Sequence, residues 1–512
     1  MAITTPLETG ASGRRRLALA SPATLEGIGE IEIQDAADVG AAMERARKAQ
    51  VDWDAQPISE RARIMYRALD ILLERQEDIL STVIRETGKP RTEALQMEVF
   101  AVGDALNYYA KNAEAILKTE KRKLHGLNGF MKRLRVVYRP LGVVAVITPW
   151  NGPFVLAMNP VIQALMAGNA VLLKPSEITP FSGLLAGEIF AEAGLPEGLL
   201  QVLTGDGETG AALCRAGVDK VAFTGSVSTG RKVAVACAEQ LIPCTLELGG
   251  KDAMIVCADV NLDHAAGGAV AGAFMNTGQY CCGTERVYVV DSVADAFIEK
   301  VVERVARLRQ GVEGEFDVGA IFWPRQLAII EEHMADAREK GARVLTGGRR
   351  NPDLEGLFYE PTVLVDVDHQ MQIMREETFG PILPIMRVAN EEAAIELAND
   401  SPYGLGGSVW TRDNAKGVRI AQRMETGSVC VNDMTMTYGV PEAPFGGRKQ
   451  SGIGQVNGEM GLRGYCHAEP IISDRRGGKM SDTRYPYRAK SDAGLQKIIR
   501  LLWGTSLGRW LS

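Results

Sequence analysis

A chain of 512 residues is too long for one hydrophobic core, and 46% hydrophobic with 24% charged residues suits a globular protein of two or three domains. Its formal net charge of −7 excludes nucleic acid as the main partner, because phosphate binding needs concentrated positive charge. No apolar run reaches the length of about eighteen residues that a spanning helix requires.

Residues 1–20 hold Arg14-Arg15-Arg16 and an apolar stretch too short for a secretory signal, and they read as a flexible extension. Apolar positions returning at three and four predict helices over 41–51, 60–77 and 91–117. Residues 121–140, basic and without a helical period, read as extended. From Val143 short apolar runs closed by Gly or Pro predict strands at 143–148, 170–174, 200–205 and 220–224, with helices at 160–168, 181–192 and 207–216 between them. A second alternation after Gly250 adds strands at 287–290, 343–346, 382–388 and 428–432 and a helix at 294–308. Strands alternating with helices predict parallel, doubly wound sheets with the ligand crevice at the carboxyl ends of the strands.

Beyond Ser473 a polar linker, 474–490, leads to an amphipathic helix over 491–512. Leu495, Ile498, Ile499 and Leu502 recur at helical spacing, Lys497 and Arg500 lie on another face, and Trp503, Leu507, Trp510 and Leu511 enlarge the apolar side. Three uses compete for it: docking on the body of the chain, contact with a sister subunit, and lying in a membrane surface.

The chemistry centres on residues 274–286, where Cys281 and Cys282 follow a Gly-Gln turn in a small-residue neighbourhood. The eight cysteines show no zinc or redox spacing, and no two of the five histidines lie three or four apart, so no metal site is expected. A reduced, cytoplasmic setting fits. Glu247, between Leu246 and Leu248 and before two glycines, can be a tuned base or a strand residue facing solvent; Asn151, before Gly152-Pro153, can be a functional amide or a turn residue. Gly225-Ser226 opens a helix whose N–H groups can meet an anion, outside any G-x-G-x-x-G pattern.

Pro149-Trp150-Asn151, Lys174-Pro175-Ser176-Glu177, Phe223-Thr224-Gly225-Ser226, the run 245–251, Cys281, Glu376-Glu377-Thr378-Phe379-Gly380-Pro381 and Pro444-Phe445-Gly446-Gly447 stand in this order. Together they resemble the NAD(P)-dependent aldehyde dehydrogenase superfamily, from about Ser21 to about Pro470. The resemblance implies an α/β fold, aldehyde dehydrogenase-like, with two doubly wound α/β domains plus a small β oligomerisation arm. It implies a dinucleotide-binding domain from 21–120 and 141–249, a catalytic domain over 250–441, an arm from 121–140 and 463–473, and a homodimer or homotetramer.

Within that resemblance Cys281, two after Gln279 and five before Arg286, is the nucleophile in preference to Cys282. Asn151 and the Cys281 N–H hold the oxyanion, and Glu247 activates water for thioester hydrolysis. Lys174 and Glu177 match the pair that holds the adenosine ribose, Glu377 and Phe379 the groups that hold the nicotinamide ribose and ring, and Gly225 and Ser226 the pyrophosphate site. Ile147, Pro149, Trp150, Ser176 and Leu248 complete the cofactor set. Glu177 favours NAD by repelling a 2′-phosphate, while Lys174 and Ser176 could welcome NADP.

Phe154, Met158, Tyr280, Met434, Met436 and Tyr438 are the expected substrate walls, implying a hydrophobic aldehyde, aliphatic or aromatic. Three rivals stand beside a dehydrogenase that releases the acid. They are a coenzyme A-acylating semialdehyde dehydrogenase, disfavoured by Glu247, a catalytically silent scaffold, and a cysteine hydrolase, which lacks a His partner.

Overall fold

The computed structural model describes residues 3–7, 13–434, 436–475 and 489–511. Val143–Ile147, buried along its whole length, lies inside a six-stranded sheet, as expected of a parallel strand covered on both faces. Ala170–Lys174 and then Leu200–Val202 flank it on one side, Lys220–Gly225 and then Cys244–Leu248 on the other, all parallel. Strand order therefore reverses between Val143–Ile147 and Lys220–Gly225, and such a switch point opens a crevice at the carboxyl ends of the two strands. Gly452–Ile453 returns from far along the chain to close one edge antiparallel to Leu246 and Glu247.

The helical layer begins with Ala36–Asp54 and Ile58–Glu74. The helix expected over 60–77 ends early because Arg75 leaves helical geometry (φ −94°, ψ 15°) and a new helix, Gln76–Thr87, starts there. The segment 91–117 is helical but not uniform: Ala94–Phe100 is a π-helix that continues into the α-helix Ala101–Leu117. A π segment rotates side chains out of the regular period and is a frequent mark of functional sites; here it carries the buried Glu98.

A second sheet runs in the order Arg343–Thr346, Thr362–Val365, Ile382–Val388, Arg286–Val290, Ala253–Val256, Gly407–Trp410, Cys430–Val431, parallel except at its first pair. A third pairs Cys466–Asp474 with Lys132–Pro140 over nine residues and Lys132–Pro140 with Glu120–Arg122. Within the segment expected to be extended, Gly126–Met131 forms a short helix.

Three terminal expectations need correction. Residues 1–20 are not simply an extension: Thr4–Leu7 and Arg16–Ala20 join Gly27–Glu32 in an antiparallel sheet. Leu17 and Leu19 bury against Ile31 and Ile33, and Arg14 and Arg16 pair with Glu32 and Glu30, so the arginine run is tied down by carboxylates. The linker expected over 474–490 is shorter, since Asp474 ends a strand and Ala489 and Lys490 begin a helix; residues 476–488 lie outside those described. The helix expected over 491–512 is two, Ala489–Gly504 and Ser506–Leu511, interrupted after a glycine whose helix propensity is poor; Ser512 lies outside the described residues.

Candidate active site

At the switch point lies a cleft of about 1210 Å³. It is lined by the three expected catalytic residues, Cys281, Glu247 and Asn151, and by Ile147, Pro149, Trp150, Lys174, Ser176, Glu177, Gly225, Ser226, Leu248, Glu377 and Phe379. Residues from six separate stretches thus meet at one place. Cys282 faces elsewhere, onto a small cavity with Asp252, Thr284 and Met434.

Cys281 is presented by a turn in which Asn276, Thr277 and Gly278 all have positive φ (54°, 58° and 70°). That conformation is costly for Asn and Thr and persists only where the surroundings fix it. Asn276 Nδ2 donates to Gln279 O and to Asn151 O (2.9 Å each), and Asn276 N donates to Glu93 (3.0 Å). Gln279 spans to Phe322 N and Ala320 O. Gly278 is required: a Cβ there would sit 2.1 Å from Gly380 O.

Asn151 is held from the same network. Its Nδ2 donates to Gln279 O (3.0 Å), and its carbonyl accepts from Lys89 Nζ (3.2 Å). Lys89, fully buried, pairs with the equally buried Glu98 at 2.6 Å, and the other oxygen of Glu98 accepts from Phe154 N and Val155 N at the start of the helix Val155–Met166. An amide nitrogen has two N–H groups, so Asn151 keeps one donor after serving Gln279.

Opposite stands Glu247, buried, with neither carboxylate oxygen hydrogen-bonded. Burial pushes its pKa up to about 7, opposed only in part by the nearby Cys281 thiol and Thr224 hydroxyl. Contact with Cys282, burial and the carboxylates of Glu247 and Asp252 hold the Cys281 thiol well above its ordinary range. Glu377 is likewise raised, to about 8, by burial and by Glu285, while Gly250 N donates to it at 3.0 Å. Gly249 admits that carboxylate, since a Cβ would stand 2.3 Å from Glu377 Oε2.

The rest of the cleft suits a dinucleotide. Ser226 caps the helix Val227–Gln240, accepting from Thr229 N, and leaves the first N–H groups of that helix for an anion. A Cβ at Gly230 would lie 2.4 Å from Leu248, so the glycine lets the helix pack closely on Cys244–Leu248. Lys174 Nζ donates to Pro175 O (2.9 Å) and lies 3.5 Å from Glu177, and burial lowers its pKa. At the other end Trp150 meets Phe379, Phe322 and Trp323 edge to face, with centroids at 5.4, 5.8 and 6.4 Å.

Sequence reasoning missed several groups here. Arg231 and Lys232 lie in the first turns of the helix Val227–Gln240 and line the cleft, where i+5 spacing from Ser226 is a usable signal. His333 also lines it, but burial lowers its pKa to about 4, and its Nδ1 meets Thr378 Oγ1 at 3.2 Å, which suits a neutral, structural ring. Among the expected walls, Tyr280 and Tyr438 pack with Cys281 beside Phe445 and Val456. Phe154 and Met158 have no accessible surface and belong to the core, Met434 lines the small cavity with Cys282, and Met436 is exposed, so none of the six expected walls borders the cleft itself.

Among the described residues, Cys257, Asp259 and Glu391 converge at metal-ligand distances, but Lys416 Nζ reaches both carboxylates and supplies the cation.

The chain belongs to the aldehyde dehydrogenase family, whose model matches residues 9–471. It is 38% identical over 488 residues to a 4,4′-diapolycopene aldehyde oxidase of Methylomonas sp, covering 95% of this chain and 91% of that protein. A putative NADP(+) succinate-semialdehyde dehydrogenase of Mycobacterium ulcerans is 40% identical over 448 residues, covering 87% and 86%. The crystal structure of a Mycobacterium tuberculosis aldehyde dehydrogenase complexed with NAD+ superposes with a TM-score of 0.85 at 39% identity, covering 89% of this chain and 94% of that one. The protein is thus an NAD(P)-dependent oxidoreductase acting on an aldehyde, with the α/β fold of that family.

Proposed function

We propose that the chain oxidises a hydrophobic aldehyde to the free carboxylic acid, with Cys281 as nucleophile and Glu247 as the base that activates water. The observation that carries this reading is the meeting of a thiol and an unpartnered, buried carboxylate of pKa about 7 at one cleft. A buried carboxylate without partners is costly to keep, and a base poised near neutrality is what hydrolysis at pH 7 needs.

In the proposed sequence the Cys281 sulfur, once deprotonated, attacks the aldehyde carbon, and the carbonyl oxygen becomes an oxyanion. The remaining Asn151 N–H and the Cys281 backbone N–H donate to it. NAD, when bound, supplies the hydride acceptor and a positive ring that favours the thiolate. Loss of hydride from the former carbonyl carbon leaves a thioester on Cys281. Glu247 then takes a proton from water as its oxygen attacks the thioester, and the acid leaves as the thiol regains a proton.

NAD is the favoured cofactor because the Glu177 carboxylate, held near Lys174, would repel a 2′-phosphate; NADP use is the alternative. Hydrophobic substrates are supported by the apolar grouping of Tyr280, Tyr438, Phe445 and Val456 around Cys281 and by the diapolycopene aldehyde in the name of the Methylomonas relative. We read the assembly as a cytoplasmic homodimer or homotetramer built through the arm of residues 121–140 and 463–473, with peripheral membrane contact through residues 491–512. A panel of aldehydes, followed by the absorbance of reduced NAD and by the acid formed, tests the reaction. Turnover that requires coenzyme A and yields a thioester product would replace this reading with the acylating one.

A further inference from the structure

The reaction leaves residues 489–511 without a role. Their two helices turn against each other at Gly508, where a Cβ would lie 2.0 Å from Leu501 O. Thr505 Oγ1 accepts from Gly508 N (3.0 Å) and Arg509 Nε donates to Trp503 O (2.8 Å), so the turn is a built feature. Leu495, Ile498, Ile499, Trp503, Leu507 and Trp510 are between 41% and 81% exposed. The body of its own chain therefore leaves this apolar face uncovered. An exposed apolar set of this size marks an interaction surface.

Charge indicates what covers it. From Arg475 to Ser512 the sequence holds nine Lys and Arg against two Asp, a net of +7, in a chain whose total is −7; the preceding 474 residues therefore carry −14. Such asymmetry between a basic tail and an acidic body is a signal of membrane or polyanion contact. Lys497 and Arg500 lie on another face from Ile498 and Leu502, and their long stems let the charges reach past an immersed apolar face. Trp503 and Trp510 add the aromatic rings that favour the boundary between headgroups and acyl chains.

We infer that the helical pair 489–511 docks on an anionic lipid surface, its apolar side chains immersed and its basic residues meeting acidic headgroups. This rests on the membrane contact proposed above and adds the sign of the lipid charge. Contact is peripheral, because no helix among the described residues is long and apolar enough to cross a membrane.

The test is co-sedimentation of the full chain at low salt with vesicles of phosphatidylcholine alone and of phosphatidylcholine with phosphatidylglycerol. Binding is expected to the second kind, weakened at least about thirtyfold by the double substitution Lys497→Glu and Arg500→Glu, given roughly fivefold per surface charge. Ile498→Ser with Ile499→Ser should abolish it, and neither variant should alter turnover of a water-soluble aldehyde. Equal binding to both vesicles, insensitive to charge reversal, would overturn the lipid-charge inference and leave the membrane contact standing. Binding to neither would overturn both. A drop in particle mass by light scattering in the isoleucine variant, without vesicles, would assign the face to a sister subunit instead.

Discussion

Glu98 and Glu247 are both buried glutamates, the first behind Asn151 and the second lining the cleft, and their surroundings are opposite. Glu98 has a lysine at 2.6 Å and two backbone N–H donors, so both of its oxygens are engaged. Glu247 has burial and no cation or backbone donor, only the Cys281 thiol and the Thr224 hydroxyl nearby. The first arrangement fixes a geometry, since the same lysine reaches the Asn151 carbonyl and the same carboxylate caps the next helix. The second leaves the oxygens uncommitted and the proton held up to near neutral pH. Position in the core therefore does not separate a structural carboxylate from a chemical one; the count of partners does.

The largest effect expected is on the thiol. Cys281→Ala should lower turnover on the order of 10⁴-fold or more, as loss of a nucleophile does. Cys282→Ala should stay within about tenfold, because its side chain faces the small cavity and not the cleft. Steady-state rates on folded variants check this, and equal losses would mean that the two thiols share the chemistry. Next, Glu247→Gln should reduce steady-state turnover by about 10²–10⁴-fold, the usual range for a general base, while a single-turnover burst of reduced NAD survives. Rapid-mixing absorbance separates the two phases. A parent-like steady state would remove Glu247 from the hydrolytic step.

On the Glu98 side, Lys89→Met should cost about 3–5 kcal/mol in unfolding free energy, because it leaves a buried carboxylate without its ion partner. Adding Glu98→Gln should recover part of that loss. Activity should fall through kcat with little change in KM, since Asn151 is mispositioned and not removed. Denaturant unfolding beside steady-state kinetics reads both. A loss confined to stability would mean that the network holds the fold and does not tune Asn151.

How far the sequence revealed this contrast depends on what kind of signal each part leaves. The strands were legible because short apolar runs survive in one dimension; 170–174 and 382–388 coincide with the parallel Ala170–Lys174 and Ile382–Val388, and 343–346 with the antiparallel Arg343–Thr346. The motif residues were legible as a resemblance, and the structure brings them to one cleft. Lys89, Glu93 and Glu98 were not. A charged residue in an amphipathic helix reads as solvated, and only the π-helical turn and the third dimension carry Glu98 inward. The terminal strands were hidden for a related reason: arginines that look like a mobile run acquire carboxylate partners from Gly27–Glu32, a strand pairing that no local pattern announces. Asn276 and Thr277 gave no warning of positive φ, since residues other than glycine rarely adopt it.

The smallest and most discriminating effect lies in pH. Burial raises the Glu247 pKa from 4.5 to about 7, so the folded chain holds a proton that the unfolded chain releases above pH 4.5. The folded state is then favoured by this group below the unfolded value, and that advantage is lost as pH rises from 4.5 through about 7. At pH 8 the carboxylate is charged and unpartnered, a penalty of at most about 3 kcal/mol, which Glu247→Gln should relieve. Glu247→Gln is therefore expected to unfold at higher denaturant than the parent at pH 8 and at nearly the same denaturant near pH 4.5, with the gap opening between. Glu98→Gln, which strands Lys89, should be less stable than the parent at pH 8. Hydrolysis moves the other way along the same axis: acyl-enzyme breakdown needs the charged form, so its rate should rise about tenfold per unit below pH 7 and level off above it. A parent whose stability and deacylation rate rose together with pH would show that Glu247 has a partner in solution, and the distinction between the two glutamates would fall with it.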